Sequence, residues 1–448
     1  MRQTGSLKER GLIVMGKVEK KRSGTVRKSF LLFSLILLLG FGAVACGEET
    51  AETDSLPNAP VNETLAADLT EVRDGGSAVQ RLGVNLLRQT YQEEGENNLV
   101  VSPLSVMYAV GMSANGAAAE TLTEMETVLG LSLDQLNAFL KEYTAGLQTS
   151  ERFKMNLANS LWLNTDGTGS FVVNPEFVQT VREAESAQVF EREFADGAVL
   201  DEINQWVQEE TNGLIQNMLS EIPVDAVMYL INALALDASW TEPYTENQIE
   251  RDIFTTAMGE EQQADFLTST ESIYLEDEYA VGFMKPYAGG SRYAFVGLLP
   301  KEGQTLAEYL ETLTEGGLAS VLATATEEYS VDAALPKFKN EYEVELSALL
   351  GALGMESAFG EEADFSQMGT TAEENPLYIS AVLHKAKISV DENGTEAAAA
   401  TAVEMMEASA VPLEQETKEV RLNRPFVYLL LDRDENVPLF MGTVDSLG

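Results

Sequence analysis

The sequence predicts an α+β domain, on three observations. Apolar residues recur at helical spacing in separated stretches, as with Val79, Leu82, Val84, Leu86 and Leu87 in SAVQRLGVNLLRQTY. Other stretches have strand character: YAFVGLLP (293–300), EYSVDAALPKF (328–338), LHKAKISV (383–390) and FVYLLLD (426–432). Helices and strands interleave without a repeated βαβ unit, and no internal repeat is present. One large domain over residues 77–448 accounts for this pattern, and a chain of 448 residues with 45% hydrophobic content can bury its core.

Along the chain, residues 17–46 (KVEKKRSGTVRKSFLLFSLILLLGFGAVAC) have the layout of a secretory signal. A basic stretch leads into an apolar run from Phe30 to Val44, short for a transmembrane span, then small residues and a cysteine. AVAC resembles a bacterial lipobox with Ala43 in place of the usual Leu. Cleavage after Ala45 would leave Cys46 to take the lipid, so 1–45 is expected to be a lipoprotein signal peptide. An uncleaved anchor and ordinary secretion are the alternatives, and Met15 is an alternative start. The lipoprotein is expected at the cell surface or in the periplasm, with the extracellular space as the alternative. Residues 46–76 are acidic, with Pro, Asn and Gly and almost no aromatics, and read as a flexible, self-repelling tether.

After the SAVQRLGVNLLRQTY helix, NNLVVSPLSVMYAVGMSANG moves from a short apolar run into a Ser-capped helix. DEINQWVQEETNGLIQNML is an amphipathic helix broken at Gly213. DAVMYLINALALDASW is apolar throughout, so periodicity assigns it to neither helix nor strand. The stretch DENGTEAAAATAVEMMEASAVP (391–412) is also ambiguous. Its Ala, Glu and Met favour a helix with Thr395 as N-cap. At period two, however, Thr395, Ala397, Ala399, Thr401, Val403 and Met405 share one face, while Glu396, Ala398, Ala400, Ala402, Glu404 and Met406 share the other.

Charge and rare residues exclude several functions. The chain carries 72 acids against 29 bases. Nine of those bases and two of those acids precede Cys46, leaving 20 and 70 and a net charge of −50. Such a surface repels nucleic-acid phosphates and anionic lipids, so membrane contact is expected only through the lipid on Cys46. The single cysteine allows no intrachain disulfide and no cysteine-based metal site. The single histidine, His384, would have to serve any Ser-His-Asp triad, and no GxSxG elbow is present. No enzyme, metal or cofactor is expected, and His384 reads as a structural residue.

Six stretches, in order, carry a family resemblance: NLVVSPLSV (98–106), INQWVQEETNGLI (203–215), INALALDASW (231–240), LPKFKNEYEVELSALLGALGM (335–355), VLHKAKISVDENGTEAAAATA (382–402) and NRPFVYLLLDRDENVPLFMGTV (423–444). Together they resemble the serpins from residue 77 onward. The resemblance implies the serpin fold, with three β-sheets, eight or nine helices and an exposed reactive-centre loop. It also implies a monomer acting as an irreversible suicide-substrate inhibitor of serine proteases, with a cysteine protease as a less favoured target. In such inhibitors the protease cuts the loop, the hinge side enters the central sheet as a new strand, and the covalently held protease is distorted before it can deacylate. A non-inhibitory binding protein of the same fold is the alternative. Members of that kind usually carry bulky, charged or proline residues in the hinge, which this chain lacks.

Residues carry over individually. The hinge is Glu392, Gly394, Thr395, Glu396, Ala397, Ala398, Ala399, Ala400, Thr401 and Ala402, with Gly394 expected to give the backbone freedom to turn. Thr395 and the residues on its face are small or apolar and expected to face the core, while Glu396 and Glu404 are expected to face solvent. Ser102, Ser105, Asn232 and His384 resemble the shutter cluster where the central strands part. There the imidazole is expected to pair with hydroxyl and amide groups. Lys337, Glu392 and Trp240 resemble the breach at the top of the sheet. Counting Glu392 as the first, the seventeenth residue is Ala408, which puts the scissile bond at Ala408–Ser409. A small residue there suits an elastase-like or subtilisin-like pocket. Pro425 lies 31 residues beyond Gly394, farther than the resemblance implies, and the surplus is harmless to inhibition if it lies in PLEQETKEV beyond the cut.

Overall fold

The computed structural model describes residues 12–17, 75–165, 171–213, 215–223, 226–290, 292–314, 316–371, 377–395 and 415–447. Cys46, the apolar run 30–44, most of the tether, and 396–414 with Ala408 and Ser409 lie outside them. The described residues form nine α-helices and sheets of seven, six and four strands, with one further two-stranded pairing. No helix among them is long and apolar enough to cross a membrane.

The central sheet contains β1 (Leu12–Lys17), β2 (Phe153–Asn164), β3 (Gln188–Arg192), β4 (Met228–Ser239), β5 (Phe338–Glu345), β6 (Leu377–Val390) and β7 (Gly394–Thr395). Across the sheet the order is β5, β6, then a column shared by β7 and β1, then β4, β2 and β3. Only the β2–β3 pair is parallel. Within the ambiguous run, Met228–Ser239 therefore resolves as a central strand. Tyr229, Ile231 and Ala233 pack with Trp206 and Ile203 of a covering helix, Ala198–Glu210. Met228, Leu230, Leu234 and Leu236 enter the main core on the other face. A strand covered on both faces shows no apolar–polar alternation, which is why its period was unreadable.

The first helix, α1, spans Gly75–Glu94, so Gly75 and Gly76, assigned above to the tether, belong to it. Helix α2, Pro103–Ala114, starts as its sequence dictates. Ser102 is extended, its hydroxyl accepts from the Ser105 amide at 3.2 Å, and Pro103 supplies the first-turn proline. The covering helix ends at Glu210, and Gly213 turns the chain away at φ 81°.

The six-stranded sheet buries every residue of Tyr293–Pro300 and Phe426–Asp432. In the four-stranded sheet Thr417–Arg421 pairs in parallel with Ser330–Pro336. Lys337 falls at the break between Ser330–Pro336 and β5, where the chain passes from that sheet to the central one.

Candidate functional site

Two of the expected hinge residues, Gly394 and Thr395, stand within the central sheet. Beyond Val390, the Asp391 carboxylate accepts from the amides of Asn393 (2.7 Å) and Gly394 (3.3 Å), while the Asp391 amide donates to the Gly394 carbonyl at 3.0 Å. This tight turn delivers β7 antiparallel between its neighbours. Gly394 pairs with Ser239, and Thr395 pairs with Ala238 on one side and Val390 on the other. Thr395 is fully buried, and its hydroxyl shares a hydrogen bond with the Tyr287 phenol. The glycine requirement at 394 differs from the one expected. Its φ is not positive, and a Cβ there would collide with the Ala238 carbonyl oxygen, so close approach of two backbones dictates the residue.

Around this turn stand the expected breach residues. Lys337 Nζ lies 2.7 Å from Glu392 Oε2, and the lysine's hydrogen bond holds the Glu392 carboxyl below its ordinary range. Both side chains are about one-third exposed (29% and 35%), so the pair contributes at most about 1 kcal/mol. Trp240 is wholly buried. Its indole donates to the Asp391 carbonyl at 2.9 Å and its amide to the Asn393 carbonyl at 2.8 Å. The ring stacks on Tyr287 at 4.7 Å and meets Tyr244 edge-on.

A buried ion pair, Lys285–Glu271 at 2.8 Å, lies beneath, with Lys285 Nζ 4.3 Å from the Tyr244 ring centre. Sequence reasoning missed Tyr287, Tyr244 and this pair. The signal was there in VGFMKPYA, where a single lysine interrupts an apolar run and must be paired if buried.

Lower in the sheet the four shutter residues come together. The Ser102 amide donates to His384 Nε2 at 3.0 Å, and the Ser102 hydroxyl donates to the Leu439 carbonyl at 2.8 Å. Ser105 donates its hydroxyl to Asn232 Oδ1, and Asn232 Nδ2 donates to Asn159 Oδ1 at 2.8 Å. His384 thus reaches the cluster through an amide, that of the Ser102 backbone. Burial pushes its pKa down to about 4, so the ring is neutral and Nε2 accepts. Asn159 was missed because its partner lies 73 residues away on the paired strand.

Between these two clusters lies a slot. β4 and β6 are bridged by β7 opposite Ser239 and Ala238, and by β1 opposite Ile231 to Met228. Opposite Asn232 to Asp237, six positions, no described strand bridges them. Two small cavities lie along this stretch. One is lined by Leu234, Leu236, Ala386, Ile388 and Thr395, the other by Ser105, Asn232, Val382 and His384, and Ile215 lines both.

Residues directly opposite on paired strands share a face. Continuing the ladder from Thr395 and Ala238 would set Ala397 opposite Leu236, Ala399 opposite Leu234, Thr401 opposite Asn232 and Val403 opposite Leu230, all toward the main core. Glu396 would come opposite Asp237, near solvent. Glu404, expected to face solvent, lies outside the described residues. Residues 396–414, including the rest of the hinge and the Ala408–Ser409 bond, lie outside the described residues, as does Cys46. No cluster of three His, Cys, Asp or Glu side chains able to hold a metal occurs among the described residues.

Comparison with known proteins places this geometry in context. The family described as Serpin (serine protease inhibitor) matches residues 77–447. An uncharacterized serpin-like protein of Thermococcus kodakarensis is 32% identical over 353 residues, covering 77% of this chain and 80% of its own. Human neuroserpin is 29% identical over 384 residues, covering 82% and 90%. Among solved structures, the native state of a thermophilic serpin, tengpin, matches with a TM-score of 0.74 at 40% identity, covering 83% of this chain and 93% of its own.

Proposed function

The chain belongs to the serpin family, and from that premise we propose that it is an irreversible suicide-substrate inhibitor of serine proteases with small primary pockets, elastase-like or subtilisin-like. The family makes a target protease the natural partner and inhibition, not catalysis, the general activity. The observation that carries the finer reading is the slot. Its top is already threaded by Gly394 and Thr395, its walls are β4 and β6, and a ladder continued in the same register would turn the small residues of the hinge toward the core.

The protease's serine oxygen bonds to the Ala408 carbonyl carbon, the Ala408–Ser409 amide breaks, and Ser409 leaves as a new amino terminus with the proton handed on by the protease. Freed at one end, the segment from Glu396 extends the β7 ladder downward. Successive residues gain backbone bonds to the two neighbouring strands in alternation, and the ester-linked protease is carried with the advancing strand. Small residues on the core face keep the opening of the slot narrow and bring no unpaired charge with them. The same face argues against the non-inhibitory binding-protein reading, because a hinge with no duty to insert has no reason to keep charge off every alternate position.

A lipid on Cys46 and the acidic stretch behind it would hold the domain as a monomer at the cell surface or in the periplasm. Incubating the processed chain with pancreatic elastase and with subtilisin, followed by denaturing electrophoresis, tests the reading. A boiling-resistant band at the summed mass of protease and trimmed inhibitor supports it, with the released peptide beginning at Ser409. Complete cleavage by both proteases without such a band overturns it.

A further inference from the structure

The lower part of the slot is filled by the chain's own leader. β1, Leu12–Lys17, pairs antiparallel with β4 and with β6 in the same column that β7 opens. Its register coincides with the one that β7 would take if continued downward. Ile13 lies opposite Leu230 on β4 and opposite Val382 on β6. Counting down from Thr395, which lies opposite Ala238 and Val390, the residue that would come opposite Leu230 and also opposite Val382 is Val403. The two walls agree independently, so Leu12 and Ile13 hold the places of Ala402 and Val403, and both strands cannot be present at once.

We propose that Leu12–Lys17 is an intramolecular strap, which holds the lower slot and shuts out the reactive loop for as long as the leader is attached. This rests on the insertion reading above. It also gives the leader a second duty beside targeting. Once the apolar run at Phe30–Val44 enters a membrane, Leu12 is left on the side opposite the exported domain. The strap therefore acts on chains that fold before export, and cleavage after Ala45 removes it for good. Inside the cell the inhibitor is held inert toward the cell's own proteases. A chain begun at Met15 lacks half the strap and would be released from the start.

The test compares the full chain with its Ile13→Pro/Met15→Pro double variant, both purified in detergent from cytoplasm, beside the processed chain from membranes. Proline removes ladder donors and is excluded from the middle of a sheet, while the apolar run is untouched. Two readouts are taken: the rate of boiling-resistant complex formation with subtilisin, and amide exchange in β4 and β6 around Ile231 and Val382. The full chain is expected to trap about tenfold more slowly than the other two and to protect those amides, with both effects lost in the variant. Equal trapping rates and equal protection in the full chain and its variant overturn the strap, as does protection without any difference in trapping. If none of the three traps, the insertion reading fails, and exchange alone decides. Protection lost in the variant keeps the strap, and unchanged protection overturns it.

Discussion

Thr395→Arg tests whether the hinge residue is a structural part of the sheet. Thr395 is fully buried between Ala238 and Val390, its hydroxyl bonded to the Tyr287 phenol, which is itself buried. The nearby ion pair already uses its acid, because Glu271 holds Lys285 at 2.8 Å. A guanidinium at 395 would be buried without a carboxylate of its own, at a cost of about 4 kcal/mol, or roughly a thousandfold against seating β7 from which insertion must proceed. The variant is expected to be cut by subtilisin as fast as the parent while the trapped band on a denaturing gel falls to background. Because Thr395 is seated before cleavage, the uncut variant should also melt a few degrees lower. Thr395→Val serves as the control. It keeps the shape, leaves the Tyr287 hydroxyl without its partner at a cost of about 1–3 kcal/mol, and should still trap. Trapping at parental yield by Thr395→Arg would refute the reasoning.

His384 gives a pH dependence of definite sign. With a folded pKa of about 4 against an ordinary 6.5, the unfolded state binds the extra proton between those values. The stabilisation is complete above pH 6.5 and is lost as pH falls toward 4, by up to about 3 kcal/mol. Thermal melts of parent and His384→Gln over that range should converge as the pH drops, and parallel curves would contradict the assignment. Gly394→Ala is expected to displace β7 because the added methyl meets the Ala238 carbonyl. That should lower the melting point of the uncut chain and raise the ratio of cleaved to trapped product, and a variant indistinguishable from the parent would show that the backbones separate freely. Cys46→Ala should move the protein from the membrane fraction to the soluble one. Continued fractionation with lipid would put the anchor elsewhere.

The fold was legible wherever a segment has one dry face or a cap. Ser102 with Pro103 and the stripe on α1 stand where their patterns put them. The strands 293–300 and 426–432 are covered on both faces and were readable only as short apolar runs of strand length. β4, covered on both faces and 12 residues long, was illegible, because its faces do not differ and its length suits a helix as well as a strand. Thr395 could have capped a helix. It is a strand residue because the sheet offers backbone partners on both sides, a nonlocal fact. The grouping of Ser102, Ser105, Asn232 and His384 was reached through family resemblance, but the His384 partner is a backbone amide, which no residue-type pattern encodes. The stretch Leu12–Lys17 misleads in another way. LIVMGK is short, apolar and near a basic stretch, and that composition serves a targeting signal and a central strand equally well.

The central claim is that the cut loop becomes a strand between β4 and β6, and the melting temperature of the cleaved chain tests it most directly. The processed chain, cut cleanly at Ala408–Ser409 and freed of protease, would gain paired backbone along the six positions opposite Asn232 to Asp237 and below them. The account predicts a rise of at least about 20 °C over the uncut chain, since a strand bonded on two sides and buried on one face or both is added to the middle of the sheet. An unchanged or lowered melting temperature after the same cut would mean that the slot does not accept the loop, and would contradict the account.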